Sequence, residues 1–112
     1  ERRRVELAAT VAQNAQTILL DEPVNHLDLH YQINLLQGAL TKWRAEGRAV
    51  VMVMHDLNLA IRFSDHLLCL CGDGSILQGE TSAVATTENL STLLRYPLQA
   101  LTLGDRSFFI PA

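Results

Sequence analysis

The sequence predicts a mixed α/β fold in which a mostly parallel sheet is flanked by helices and followed by a carboxyl-terminal β-hairpin. Continuous apolar runs at residues 18–20 and 49–54 are typical of the buried strands of a parallel sheet. The segment between them carries apolar residues at helical spacing, and a strand, a helix and a strand in succession indicate a parallel pair. Further along, Gly72 and Gly74 separate two more strand-like runs and indicate a hairpin.

The composition is that of one small folded domain. The chain has 112 residues, 48% of them apolar, which is enough for a hydrophobic core. A net charge of −3 gives no basic surface for nucleic acid. The apolar runs are far shorter than the roughly 20 residues of a membrane-spanning helix, and no leader pattern opens the chain. We therefore expect any tie to a membrane to pass through a partner protein.

Residues 1–12 have the pattern of a helix. Val5, Ala8, Ala9 and Ala12 form a stripe of small side chains that lets a helix lie close against a sheet. The arginines at positions 2–4 fit its solvated face.

Residues 17–23 form an apolar run that ends in two adjacent carboxylates and a proline, Asp21, Glu22 and Pro23. We expect a strand buried on both faces. Unpaired buried carboxylates are costly, but acids are favoured at the carboxyl ends of parallel strands, where α/β sheets bind ligands. There one acid can hold a hydrated metal ion while its neighbour polarises a water. The alternative is a solvated acidic turn.

Residues 29–46 give the clearest helical pattern. Apolar side chains recur every three or four residues and make one stripe: Leu29, Ile33, Leu36, Leu40 and Trp43. Asp28 lies at the N-cap position, and Gly47 is expected to end the helix.

Residues 49–54 predict a second buried strand, which leads directly into His55 and Asp56. A histidine after a strand is commonly a turn or capping residue. Asp56 is expected to cap a short helix whose apolar positions are Leu57, Ala60, Ile61 and Phe63.

A hairpin is predicted from residues 66–71 and 75–79. Cys69 and Cys71 lie two positions apart on one strand, about 6.6 Å from each other at the usual rise per residue. A disulfide needs Cβ atoms about 3.5–4.5 Å apart, so both thiols should be reduced and serve as small buried apolar groups. Reduced thiols fit a cytosolic location.

Residues 80–112 carry no recognisable chemistry. Thr86 begins a short helix through Leu90 and Leu94, which Pro97 should end. Residues 98–103 and 107–110 predict a closing hairpin.

Several of these motifs together resemble ATP-binding cassette (ABC) ATPases, which have a P-loop NTPase fold. Residues 19–23, Leu-Leu-Asp-Glu-Pro, resemble the Walker B segment, and residues 25–28, Asn-His-Leu-Asp, resemble the D-loop. His55, after the second strand, is similarly placed to the switch histidine of that family. Glu1 matches the last position of the signature loop that precedes the first helix. The resemblance covers Glu1 to about Leu94, and the order of the motifs makes it specific.

The resemblance implies a role for each of five residues. Asp21 would orient Mg²⁺ through a water, Glu22 would polarise the attacking water as general base, and His55 would contact the γ-phosphate. Asp28 and Glu1 would belong to the ATP sites, Asp28 at a dimer interface. One departure is Val24, where the family often has threonine or serine.

The sequence lacks the pattern Gly-x-x-x-x-Gly-Lys-Ser/Thr that cradles phosphates. The resemblance therefore implies that residues 1–112 are the carboxyl-terminal half of a nucleotide-binding domain, that residues 80–112 extend it, and that this half alone is inactive. The segments Asn-His-Leu-Asp-Leu-His and His-Asp-Leu-Asn-Leu-Ala resemble importers of ferric siderophores, haem and cobalamin. The implied partners are a second nucleotide-binding subunit, membrane permease subunits and a solute-binding protein, at the cytoplasmic face of the membrane.

Two other functions stay open at this point. One is a metal-dependent hydrolase that uses His26, His30, His55, Asp21 and Asp56, although the zinc motif His-Glu-x-x-His is absent. The other is a non-catalytic regulatory or interaction module that retains half of an ABC fold.

Overall fold

The computed structural model describes residues 16–24 and 27–112. The chain divides between His55 and Asp56 into two compact units, and each unit is described by itself. The predicted first helix and three residues of the expected family motifs, Glu1, Asn25 and His26, lie outside the described residues.

The first unit contains a parallel strand pair and one long helix. Strand β1 spans Thr17–Asp21, helix α1 spans Leu29–Ala45, and strand β2 spans Ala49–Val53. The strands pair in parallel from Thr17 opposite Ala49 to Asp21 opposite Val53. This confirms the predicted strand–helix–strand order, and it brings the carboxyl ends of both strands to one edge of the sheet.

Helix α1 has the predicted caps. The Asp28 side chain accepts a hydrogen bond from the backbone N–H of Tyr31 at 3.1 Å. Gly47 follows the helix with φ +71°, a left-handed conformation that glycine adopts without steric cost. Of the predicted stripe, Leu36 and Trp43 are fully buried, whereas Leu29 in the first turn is 64% exposed.

The core of the first unit lies on one face of the strand pair. Its buried members are Ile18 and Leu20 of β1 and Trp43 of α1, with partly buried apolar side chains around them: Leu35, Ala39, Leu40, Val50 and Met52. The helix therefore covers the sheet face that carries the even-numbered side chains of both strands.

The prediction that both strands are buried on both faces is wrong. Side chains alternate along a strand, and the odd-numbered ones point away from α1: Leu19 is 73% exposed, Val51 54% and Val53 55%. Within the described residues each sheet has only two strands, and no second layer buries this face. A continuous apolar run shows that both faces of a strand could be buried. It does not show whether other elements cover both faces.

The second unit contains two hairpins joined by short helices. Its elements are α2 (Leu57–Phe63), β3 (His66–Leu70), β4 (Ile76–Glu80), α3 (Thr81–Val84), α4 (Thr87–Leu94), β5 (Leu98–Leu103) and β6 (Arg106–Pro111). Strands β3 and β4 pair antiparallel, as do β5 and β6, so both predicted hairpins are confirmed. With the parallel pair of the first unit, this is the expected α/β class with a carboxyl-terminal hairpin.

Two details of this unit differ from the sequence prediction. The four-residue helix α3 was not predicted, because it is too short to show an apolar period. Helix α4 ends at Leu94 rather than at Pro97, since Arg95 has φ +56° and its N–H bonds back to the Ser91 carbonyl. The helix begins where it was expected, and the Thr86 side chain caps it by accepting from the Asn89 N–H at 3.1 Å.

One apolar core runs through the second unit. Leu67, Cys69 and Val84 form one buried group, and Leu90, Leu98 and Phe109 form another. Ile61, Ala85 and Leu93 pack against both groups and join them. Cys69 and Cys71 are both buried and free, so they serve as apolar core groups. Residues 80–112 thus share a core with α2 and β3.

Among the helices of the described part of the chain, none combines the length and the apolar character needed to span a membrane.

Candidate functional site

The site begins where the parallel strands end. Asp21 is the last residue of β1 and lies opposite Val53, the last residue of β2. Each strand is followed closely by a polar side chain, Glu22 after β1 and His55 after β2. The parallel pairing therefore places both side chains at the same edge of the sheet.

Glu22 leaves the strand with an unusual backbone. Its N–H donates to the Val53 carbonyl oxygen at 2.7 Å, which adds one bond beyond the end of the strand ladder. Its φ is +47°, a left-handed value that costs a residue with a Cβ of order 1 kcal/mol or more. Since Pro23 follows, and a residue before proline favours extended conformations, local preference opposes this turn as well. The turn changes the direction of the chain at the residue that carries the carboxylate.

The Glu22 carboxylate and the His55 ring are in direct contact. Oε1 of Glu22 and Nε2 of His55 form a close polar pair. The histidine side chain is 86% exposed and the glutamate side chain 22% exposed. The carboxylate is thus partly sheltered from solvent, while most of the imidazole remains accessible to a bound group.

The neighbouring residues predicted for the site have definite positions. Asp21 is exposed at the end of β1. Asp28 is exposed and caps α1, as its sequence position predicts. Val24 is only 3% exposed, and its carbonyl oxygen accepts from Gln32 Nε2 and from the Leu27 N–H, both at 3.2 Å. An apolar side chain suits this buried position.

The alternative metal site receives no support from the described residues. They contain no group of three or more histidine, cysteine, aspartate or glutamate side chains that could hold a metal ion. His30 contacts the Asn34 amide on α1 at 3.1 Å. Asp56 caps α2 by accepting from the Leu59 N–H at 3.0 Å. His26, like Glu1, lies outside the described residues.

The sequence indicates Glu22 and His55, but two other features have no signal in it. The left-handed backbone of Glu22 has no local signal, because proline after it predicts the opposite. The Asn58 side chain bonds to the backbone of Phe109, 51 residues away, and no spacing rule links positions so distant.

Comparison with known proteins shows what the chain is similar to. No protein-family model matches the sequence. The chain is 34% identical over 111 residues to the achromobactin transport ATP-binding protein CbrD of Dickeya dadantii, a match that covers 99% of this chain and 40% of that protein. The ferric enterobactin transport ATP-binding protein FepC of Escherichia coli is 33% identical, over 94% of this chain and 38% of its own length. The chain is homologous to the ATP-binding subunits of ABC transporters.

A third relative and a solved structure show the same similarity. The hemin import ATP-binding protein HmuV of Nocardia farcinica is 39% identical over 88% of this chain and 34% of its own length. An inward-facing metal-chelate type ABC transporter superposes with a TM-score of 0.85 at 29% identity, over 99% of this chain and 45% of the other. The resemblance and the fold class predicted from the sequence are thereby confirmed. The chain spans about two fifths of the length of these ABC ATP-binding subunits.

Proposed function

We propose that this chain supplies the water-activating carboxylate and the phosphate-sensing histidine of an ATP-hydrolysing subunit in an ABC importer. The observation that carries the proposal is the contact between Glu22 and His55 at the carboxyl edge of the parallel pair. Homology to ATP-binding subunits supports ATP as the nucleotide, and the contact supports Glu22 and His55 as the residues that act on it.

Glu22 is the proposed general base. Its side chain is sheltered but not closed off, so one water can reach the carboxylate while bulk solvent is reduced. Contact with the His55 ring and the turned backbone both restrict where the carboxylate points. Because phosphoryl transfer depends mainly on positioning and on charge stabilisation, such restriction is what the chemistry requires of a base.

His55 is the proposed contact to the γ-phosphate. Its ring touches Glu22 through Nε2 and is otherwise largely open to solvent. A group in this position can donate a hydrogen bond to a phosphate oxygen beside the base. Loss of the phosphate would remove that bond, so His55 would report hydrolysis to the rest of the subunit.

The carboxylate of Asp21 is a ligand type that suits a magnesium ion. The ion is commonly held by one or two carboxylates together with waters and substrate phosphates, and Asp21 offers an exposed carboxylate at the strand end. When bound, Mg²⁺ supplies positive charge that offsets the developing charge on the phosphates. Asp21 would orient it through a water and leave Glu22 for the base role.

Similarity to ATP-binding subunits supports a proposal for the assembly. We propose that residues 1–112 are the carboxyl-terminal half of a nucleotide-binding domain, extended by residues 80–112 and inactive without the other half. Asp28 and Glu1 would border ATP sites shared with a second nucleotide-binding subunit. The complete subunit would work at the cytoplasmic face of the membrane with permease subunits and a solute-binding protein. The names of the homologues favour a ferric siderophore or haem as the solute.

Two observations test the proposal: the upstream gene sequence and the ATPase activity of the complete protein. The reading frame upstream of Glu1 is expected to encode a phosphate loop and a Leu-Ser-Gly-Gly signature. The complete protein is expected to hydrolyse ATP in the presence of Mg²⁺ and to lose that activity when the metal is chelated. A complete reading frame without a phosphate loop, or a folded complete protein without ATPase activity, would favour the non-catalytic module.

A further inference from the structure

Asn58 joins helix α2 to the closing hairpin through a two-point contact. Its Nδ2 donates to the Phe109 carbonyl oxygen at 3.1 Å, and its Oδ1 accepts from the Phe109 N–H at 2.9 Å. Asn58 is the second residue of α2, and Phe109 lies in the middle of β6. Both side-chain hydrogen bonds therefore end on the backbone of a single residue.

The contact imitates one rung of a β-ladder. Phe109 pairs with Ala100 of β5, yet its own N–H and C=O bond to Asn58, so both groups point away from β5. In antiparallel pairs such outward groups belong to the non-hydrogen-bonded positions. An amide side chain can satisfy both, because it carries one donor group and one acceptor at a fixed separation. The side chains of aspartate, alanine and leucine cannot satisfy both groups.

Apolar packing reinforces the contact. The Phe109 side chain is buried with Leu90 and Leu98, and Leu57 and Ile61 of α2 pack against that group. Asp56 fixes the same turn of α2 by accepting from the Leu59 N–H. The first turn of α2 is thus held by its own cap, by the core and by β6.

His55 directly precedes the Asp56 cap of this turn. We propose that Asn58 is a positioning residue for His55: by fixing the first turn of α2 to β6, it limits the motion of the backbone that carries the histidine. The inference rests on the proposed function of His55. It gives residues 80–112, which carry no chemistry of their own, a part in the reaction through β6.

Asn58→Ala in the complete protein removes both hydrogen bonds. Asn58→Asp keeps an acceptor for the Phe109 N–H but places a carboxylate oxygen against the Phe109 carbonyl oxygen, so it is a second disrupting variant. The matched control is Asn89→Ala. Asn89 lies in the first turn of α4, is part-buried like Asn58, and donates from Nδ2 to the Val84 carbonyl oxygen at 3.1 Å. Its loss weakens the same core without touching α2.

The kinetic expectation is a fall in kcat without a matching change in KM for ATP. Misplacement of a catalytic group by about 1 Å can cost up to about 100-fold, so Asn58→Ala and Asn58→Asp should each lower kcat roughly tenfold or more. Asn89→Ala should leave kcat within about twofold. The inference is overturned if Asn58→Ala keeps the parent kcat, or if both alanine variants lose kcat in proportion to a shared loss of melting temperature.

Hydrogen exchange separates this inference from the proposed function. Asn58→Ala should speed amide exchange in the peptide that covers residues 54–59, and Asn89→Ala should not. Unchanged exchange there in Asn58→Ala and Asn58→Asp would overturn the positioning role even in an active ATPase. Faster exchange in Asn58→Ala, combined with a wild-type protein that lacks ATPase activity, would uphold the structural contact and refute its catalytic consequence.

Discussion

The Glu22 carboxylate meets the His55 ring because β1 and β2 pair in parallel and in one particular register. Asp21 lies opposite Val53, and the Glu22 N–H donates to the Val53 carbonyl oxygen, so both strands end at the same level. A shift of one residue in this register would turn every side chain of one strand to the other face. The packing of Ile18 and Leu20 against α1 opposes such a shift. The core thus holds the two polar groups together.

Glu22→Gln in the complete protein should preserve ATP binding and lower the hydrolysis rate by about 100- to 10,000-fold, the usual contribution of a general base. The amide keeps the size of the side chain and its contact with His55 but cannot take a proton from water. Nucleotide affinity and single-turnover hydrolysis are the measurements. Glu88→Gln, which changes an exposed side chain in the first turn of α4, is the control. A near-parent rate in Glu22→Gln would show that another group is the base.

His55→Ala should reduce kcat more than it weakens ATP binding. The imidazole is exposed and contacts Glu22, so its removal frees the carboxylate without opening the core. Loss of one phosphate-directed donor commonly costs about 100- to 1,000-fold in rate. His66→Ala, at an exposed position of β3, should change neither quantity. Equal losses of affinity and rate in His55→Ala would indicate a structural role at the end of the strand.

The sequence predicted the elements around the site because local signals specify them. An apolar run, a helical stripe and the capping side chain of Asp28 were enough for β1, α1 and β2. The same signals could not show which strand face is covered, because Ile18, Leu19 and Leu20 are equally apolar and do not alternate. They could not reveal the turned backbone of Glu22 either, since tertiary contacts hold it against local preference.

Replacement of Trp43 by phenylalanine should destabilise the protein less than the burial of the side chain suggests. The side chain is fully buried against Ile18 and Leu20, yet its Nε1 finds no hydrogen-bond acceptor among the described residues. Trp43→Ala leaves a cavity and should cost about 3–5 kcal/mol. Trp43→Phe removes a buried unsatisfied donor together with some packing, so its cost should be clearly smaller. Denaturant unfolding of the complete protein compares the two. Similar losses for both variants would contradict this expectation.

The two cysteines should react slowly with thiol reagents in the folded protein. Burial raises the pKa of the Cys69 thiol, and the neighbouring Cys71 raises it further, so less reactive thiolate is present at a given pH. Because the folded pKa is the higher one, this group disfavours the folded state only as the pH rises above the pKa of the unfolded thiol. Peptide mass spectrometry after alkylation at about pH 8 should show little modification until denaturant is added. Rapid native modification of Cys69 would contradict its burial.

The 112-residue chain by itself should neither bind ATP tightly nor stay soluble on heating. It has no phosphate-loop pattern, so the backbone N–H groups and the lysine with which such a loop holds phosphates are missing, while Asp21 and Glu22 repel an anion. The uncovered face of β1 and β2 presents Leu19, Val51 and Val53 to solvent, which favours association between strands.

Calorimetry with Mg-ATP, a thermal melt and light scattering test this expectation. The double variant Leu19→Thr and Val51→Thr should aggregate more slowly than the parent chain, because it makes only the exposed face polar. The matched variant Ile18→Thr and Val50→Thr introduces the same hydroxyls on the face packed against α1 and should unfold the unit. Micromolar ATP binding together with a cooperative melt of the parent chain would show instead that this half is self-sufficient.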